Sequence, residues 1–511
     1  MKKYSIIGIF IFAIFLRLWN LNQMGRTWDE NFFVEQGYRM VDLFTKRDFS
    51  NRFWYKAPDP PPVPKYFYGL AEHFRNLKTF ENENIVLPYD FTRARITSVI
   101  FSSLTVLIVI LIGSRYISLF AGIASGVILS MLPLFLGFSQ LATIESPLIF
   151  FFTASVYAFL RLLEDISNKK LIIAGILLGL AMLTKYTNIL LVPLFFFIYI
   201  LWYFIVGKPE GKKFLQMKIV YIFPVALLTA FVLWPMPWFN LQELSKYMYD
   251  LRVTTNALPV PEVFFGKLML VPKVYYFVYF IITTPFVILM AFLLGLKKIS
   301  DLTSHKITSK NKWILLALVV WFCFPFAQSL YNFRQHGIRY IIEIYAPLAL
   351  IGAIGIDYLA KIISKKTVVN VFLIIFIFFY LLIINVKISP YYLDYFSELV
   401  GGPKNVYDKR LFQMGWWGQG IKEAGLYLEN NAKKGSEIGL ALSPSHVFPP
   451  IKNFKVFLYK DGKTYDYVVV NYYNIIREGF NDSKIREKYK PVYFVKVDRA
   501  ILVTVYKKQN K

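Results

Sequence analysis

Residues 4–21 read Tyr-Ser-Ile-Ile-Gly-Ile-Phe-Ile-Phe-Ala-Ile-Phe-Leu-Arg-Leu-Trp-Asn-Leu, and Thr27-Trp28-Asp29-Glu30 follows shortly after. The first run is long enough to cross a bilayer, which takes roughly 20 apolar residues. The acid pair stands at the mouth of that span. Two adjacent carboxylates there can act as a general base or coordinate a cation. The same pair also reads as an ordinary helix start, with Asp29 as the cap and Glu30 complementing the dipole. The rest of the chain has to decide between these.

The chain has 511 residues, 56% of them hydrophobic and 18% aromatic. Its mean hydropathy is +0.46. No soluble globular class has this composition. Long apolar runs recur through about residue 390 and then stop, so the chain reads as a polytopic membrane protein with a polar C-terminal domain. The formal net charge is +26. Many of the basic residues lie in short loops between spans, where they orient the chain and meet anionic headgroups. No zinc-finger spacing, RNA-binding signature or basic helix accompanies them, so nucleic acid is excluded as a partner. The single cysteine, Cys323, rules out an intrachain disulfide. Lys2, Lys3 and the apolar core resemble a signal peptide, but no small-residue cleavage site follows, and Arg17 and Trp19 suit an uncleaved span end.

Hydrophobic runs predict about eleven spans. They lie near 4–21, 95–113, 117–137, 145–162, 170–184, 188–206, 219–239, 274–296, 313–330, 338–359 and 368–387. Placing the N-terminus in the cytoplasm collects Lys2, Lys3, Arg115, Lys169, Lys170 and the lysine clusters near 208–218, 297–312 and 361–366 on the inner side. The outer loops are mostly much poorer in charge. An odd number of spans puts the tail outside. The domains are therefore residues 1–388, the membrane part, and 389–511, a small extracytoplasmic α/β domain.

The first outer loop, 22–94, holds the acid pair. Asn31 to Phe44 has apolar residues at helical spacing and predicts an amphipathic helix on the outer leaflet. Pro58-Asp59-Pro60-Pro61-Pro62-Val63-Pro64 is a turn, and Lys65-Tyr66-Phe67-Tyr68 begins a second surface helix. In the tail, Ile421–Asn430 reads as helix, and Lys455–Tyr459, Tyr467–Val470, Val492–Val497 and Ile501–Tyr506 read as strands. No internal repeat is visible, which weighs against inverted-repeat transporter folds.

Glu145, in Gln140-Leu141-Ala142-Thr143-Ile144-Glu145-Ser146-Pro147, opens a span on the same side as the acid pair. It reads equally as a helix-start residue or as a carboxylate that helps hold a cation or the acceptor. Lys185 sits in a very short outer turn, where it either snorkels or contacts phosphate. Arg334, His336, Arg339 and Tyr340 cluster at an outer boundary, against the charge bias. Arg339 also starts an apolar helix, where a cation is unfavourable. A bound anion would offset both costs, and a phosphate suits the guanidinium fork. Arg95 and Lys65 are further candidates for the same phosphate site, although each alone reads as structural. Carboxylates and cations thus converge on the outer face, as expected for a substrate with a phosphate at membrane level and a lipid tail.

These pieces together resemble the protein O-mannosyltransferase and aminoarabinose-transferase group, membrane glycosyltransferases of the GT-C type. The resemblance rests on Trp28-Asp29-Glu30 after the first span, the Asp59-to-Tyr66 stretch, and Arg95 before the second span. It continues with Pro133, Ser139-Gln140, Ala142 and Glu145, with Gly179-Leu180-Ala181-Met182-Leu183-Thr184-Lys185, and with Arg339-Tyr340 followed by Pro347. Tyr395 to Pro403 and Gly415 to Gly420 extend it into the tail. Asp59 stands where His or Lys is common in the group, and Glu145 where Asp is common. The Trp416-Trp417-Gly418-Gln419-Gly420 run lacks the Asp of the oligosaccharyltransferase Trp-Trp-Asp motif, so no role is assigned to it.

The resemblance implies inverting transfer of a sugar from a polyprenyl-phosphate donor, dolichyl or undecaprenyl, to a protein or lipid/glycan acceptor outside the cytoplasm. It implies Asp29 as general base and Glu30 as its support. Lys65, Arg95, Lys185 and Arg339, with Glu145, His336 and Tyr340, would bind substrate. Asp29 and Glu145 are also candidate ligands for a divalent cation, Mg²⁺ or Mn²⁺. The alternative outside enzymes is a transporter or flippase of lipid-linked sugars. A transporter should bury ionisable residues at mid-membrane; here the charges gather at one boundary.

Overall fold

The apolar runs read as spans are helical in the computed structural model, which describes residues 2–56, 60–74, 87–206, 218–257, 261–304, 312–330, 337–364, 367–442 and 445–509. Among them, six helices are long and apolar enough to cross a membrane: Thr92–Tyr116, Glu145–Glu164, Tyr186–Val206, Lys312–Ser329, Gly337–Ile363 and Val368–Ile388. Two more candidates are bent pairs, Leu119–Met131 with Pro133–Ser139 at 67° and Tyr275–Thr283 with Phe286–Thr303 at 116°, which raises the number to at most eight.

The expected count of about eleven is therefore not met by length. Tyr4–Leu18, Lys218–Leu233 and the 15-residue Asn168–Met182 helix are apolar but short. The bends have a simple cause. Proline lacks an N–H and restricts the residue before it to extended backbone. Pro133 opens its own helix after Leu132 at ψ 121°. Pro285 follows Thr284, which sits at φ −98°, ψ 127°. At 116° the second pair turns the chain sharply, so the single straight span expected over 274–296 is corrected to two helices.

The loop before the second long helix folds as two helices, Glu30–Lys46 and Val63–His73. The first buries Phe33, Val34, Gly37, Met40 and Val41, the amphipathic stripe read from the sequence. The two helices cross backbone to backbone. A Cβ on Gly37 would lie 2.0 Å from the Lys65 carbonyl oxygen, and one on Gly69 would lie 2.0 Å from that of Gly37. Only glycine fits at such a crossing. Tyr68 then fixes the second helix to the membrane part: its hydroxyl donates to the Thr143 carbonyl at 2.5 Å and lies 2.8 Å from Ser98 Oγ.

The C-terminal part holds a five-stranded sheet in the order 455–458, 437–441, 467–471, 500–508, 489–497. The first three strands run parallel and the last two join them antiparallel. The helix expected at Ile421–Asn430 is observed at Ile421–Asn431. The strand that sequence reading missed, Glu437–Ala441, lies between two others. Glu-Ile-Gly-Leu-Ala lacks the alternation of a half-exposed strand, because four of its five residues are buried. This part reaches back to the first loop: Lys422 Nζ donates to the Asn22 carbonyl at 2.7 Å, and the Tyr89 hydroxyl donates to the Val447 carbonyl at 3.0 Å.

Candidate active site

The acid pair divides its work. Asp29 occupies the cap position of the Glu30–Lys46 helix but makes no side-chain cap hydrogen bond. Its Oδ2 instead accepts from Arg339 Nη2 at 2.8 Å. Glu30 is fully buried, and its Oε2 accepts from the Thr27 backbone N–H at 2.9 Å. It also accepts from Thr27 Oγ1 at 3.0 Å and from the Ala142 N–H at 2.9 Å. Two further bonds, each 2.7 Å, come from Arg95 Nε and Nη2. Burial alone would raise the Glu30 pKa, but the Arg95 guanidinium and these N–H donors overcome it and hold the carboxyl below its ordinary range. Glu30 thus pins three segments together: the Thr27 turn, the Ala142 turn and the start of the Thr92–Tyr116 helix. Both of its oxygens are taken by protein donors, and they hold the turn that carries Asp29.

Arg95 is the clearest correction. As a phosphate ligand it would need a free edge, yet it is 2% exposed. Besides Glu30, Nη1 donates to the Leu21 carbonyl at 2.8 Å and Nη2 to the Gly25 carbonyl. Its donors are spent on the protein. Lys65 is also fully buried, with Nζ over the Phe32 ring at 5.0 Å. His336 lies outside the described residues, as do Arg334 and Asp59.

Arg339 is the centre of the site. Its Nε donates to Glu145 Oε1 at 2.9 Å while Nη2 holds Asp29. The guanidinium lies 4.4 Å from the Trp417 ring centroid and 5.6 Å from those of Trp416 and Tyr340. Lys185 Nζ sits over the other partner ring, 4.7 Å from the Tyr340 centroid. Exposure falls inward, from 31% for the Asp29 side chain to 14% for Arg339 and 1% for Glu145. The structure therefore brings together Asp29, Glu145, Lys185, Arg339 and Tyr340 from four separate parts of the chain.

The same geometry bears on a metal. A guanidinium stands between Asp29 and Glu145, and no three metal-ligating side chains converge among the described residues. As they stand, the two carboxylates suit a guanidinium better than a metal ion.

Sequence reading missed Trp417, Glu343 and His446. Trp417 belonged to the aromatic run left without a role, and only the fold reveals that it underlies Arg339. Glu343 follows Arg339 in the same short helix, Arg339–Ile344, and is 5% exposed. His446, from the C-terminal part, lies with Nε2 3.2 Å from the Trp28 carbonyl oxygen, beside the catalytic candidate. Burial and the nearby Arg26 push its pKa down, outweighing the Trp28 carbonyl and Asp29.

With the site in view, comparison with known proteins is informative. Residues 87–238 match the family model described as dolichyl-phosphate-mannose-protein mannosyltransferase. No curated protein matches the chain by sequence. Among solved structures, ArnT from Cupriavidus metallidurans in the apo state is similar at TM-score 0.53 and 12% identity, covering 99% of this chain and 98% of that one. The same protein bound to undecaprenyl phosphate gives 0.52 and 10%, covering 98% and 97%. The family match is confined to residues 87–238 and the solved structures share 10–12% identity, so what these comparisons establish is the fold: the chain is built like ArnT over nearly its whole length.

Proposed function

We propose that this enzyme transfers a sugar from a polyprenyl-phosphate donor to a hydroxyl-bearing protein or lipid/glycan acceptor, with inversion, on the extracytoplasmic side of the membrane. The observation that carries this reading is the state of Arg339. Two carboxylates and an indole face hold it, and Nη1 keeps no protein partner among the described residues. An oriented guanidinium with a free edge suits a phosphate oxygen. The ArnT structure with undecaprenyl phosphate, which shares this fold, supports a lipid-phosphate ligand of that kind. Clustering of the charges at one end of the bundle favours surface chemistry over transport.

In the proposed step the acceptor hydroxyl oxygen attacks the anomeric carbon of the donor. Its proton passes to Asp29, whose Oδ1 accepts no hydrogen bond from a described residue. The bond from that carbon to the phosphate oxygen breaks, and its electron pair leaves with the phosphate. Arg339 and Lys185 offset the charge that grows there. No protonated leaving group is needed, because the phosphate departs as an anion. Arg339 also aims Asp29, and Glu145 in turn holds Arg339.

Asp29→Asn should lower sugar transfer from polyprenyl-phosphate mannose by about 10²–10⁴-fold while leaving insertion and folding intact. Wild-type turnover in that variant removes Asp29 from the mechanism. Arg339→Lys should raise the donor KM more than the acceptor KM; equal changes in both count against the phosphate contact.

A further inference from the structure

One feature of the site has no use in that mechanism. Glu145 and Glu343 are 1% and 5% exposed, and Oε2 of each has no hydrogen-bond partner among the described residues. A buried carboxylate oxygen left unpaired is costly, and such groups persist where a ligand completes them. Glu145 belongs to the Arg339 cluster, and Glu343 lies within electrostatic reach of two of its members. Glu145 holds Arg339 through its other oxygen. Glu343 lies four residues beyond Arg339, and the charged side chains that act on it are Lys185 and Glu145. A phosphate is repelled by these oxygens, and a hydrocarbon tail leaves them unsatisfied. Of the parts of a lipid-phosphate-sugar, only the sugar carries hydrogen-bond donors.

Resting on the functional reading above, we infer that Glu343, with the second oxygen of Glu145, is a specificity-determining residue that accepts hydrogen bonds from O–H or N–H groups of the donor sugar. Arg339 and Lys185 then read the phosphate, and the carboxylates behind them read what the phosphate carries. A site built to accept such bonds discriminates strongly against a ligand lacking them, because its own buried groups are then left bare.

The test compares wild type, Glu343→Ala and Glu343→Gln in detergent for binding of three probes: undecaprenyl phosphate, undecaprenyl phosphate mannose, and undecaprenyl phosphate bearing an amino sugar. Wild type should bind one of the glycosylated carriers more tightly than the bare one. Glu343→Ala should bind the bare carrier as wild type does, which also shows that it is folded, and lose about ten- to hundredfold on the glycosylated one. Recovery by Glu343→Gln with the mannose carrier assigns the contact to hydroxyls. A loss confined to the amino sugar and not recovered by Gln assigns it to an ammonium group. If Glu343→Ala keeps the full wild-type preference for the sugar, the inference is overturned. If chelation abolishes that preference in wild type and Mg²⁺ restores it, the oxygens hold a cation and the inference is likewise overturned. Wild type that binds none of the three refutes the functional reading instead.

Discussion

Glu30→Gln tests whether the two acids of the Trp28-Asp29-Glu30 turn do different jobs. Glu30 Oε1 accepts from Arg95 Nε at 2.7 Å and the Ala142 N–H at 2.9 Å, and Oε2 from Arg95 Nη2 at 2.7 Å and Thr27 at 2.9 and 3.0 Å. A glutamine keeps one acceptor and turns an NH₂ group toward donors on the other side. At least two N–H groups then lose their partner, and the Arg95 charge is left buried without its counter-ion. Removing one member of a buried pair costs about 3–5 kcal/mol. Asp29→Asn breaks a contact that is a third exposed, and half-exposed pairs contribute on the order of 1 kcal/mol or less. Equilibrium unfolding of both variants in mixed micelles should therefore separate them, with Glu30→Gln strongly destabilised and Asp29→Asn close to wild type. The separation should also narrow in acid. A carboxyl held below its ordinary pKa of 4.5 contributes stability that is complete above that value and is lost as pH falls through the depressed one. If Glu30→Gln unfolds within about 1 kcal/mol of wild type yet loses sugar transfer as Asp29→Asn does, the division of roles is wrong.

Gly37→Ala should destabilise the loop by about 1–3 kcal/mol or more, because its Cβ would meet the Lys65 carbonyl oxygen at 2.0 Å; an unfolding curve superimposed on wild type would contradict that crossing. Asp394, buried where its Oδ1 accepts from the Gly415 N–H at 2.7 Å, has its pKa raised by burial from 3.8 to about 7, despite the opposing hydrogen bonds of Gly415 and Gln419. The native state then keeps a proton that the unfolded chain loses, so stability falls as pH rises from about 4 to about 7 and is level above. Asp394→Asn should gain stability over wild type across that window, on the order of a few kcal/mol at most, and a difference that does not vary with pH would refute the raised value.

What the sequence made legible follows the range of the forces involved. Apolar runs are local, and they located the six long apolar helices and the two bent pairs among the described residues, though not their lengths or number. The amphipathic stripe from Phe33 to Val41 and the helix at Ile421 were local too. Where length had to be judged, Pro133 and Pro285 were visible, but the angle each imposes depends on packing around it. The Glu437–Ala441 strand escaped because parallel neighbours on both sides bury it, which removes the alternation a reader looks for. Arg95 illustrates the opposite error. An arginine ahead of a span looks like a ligand from its position, but whether its donors are free is decided by Glu30, Leu21 and Gly25, more than sixty residues away.

The site itself was half legible for the same reason. Arg339 and Tyr340 lie in a cluster placed against the local charge bias, and that conflict is what makes a functional residue stand out in one dimension; Asp29, Glu145 and Lys185 fit their local positions and were picked out by sharing its side of the membrane. Trp417 and Glu343 break no local rule. A tryptophan in a turn and a glutamate near a helix start are unremarkable until the fold sets one under Arg339 and leaves the other buried with an oxygen that no described residue pairs. The residues that oppose a membrane's preferences can be found by reading. Those that complete the site by shape and by unsatisfied hydrogen bonds become visible only once a guanidinium, two carboxylates and an indole from distant segments occupy the same few ångströms.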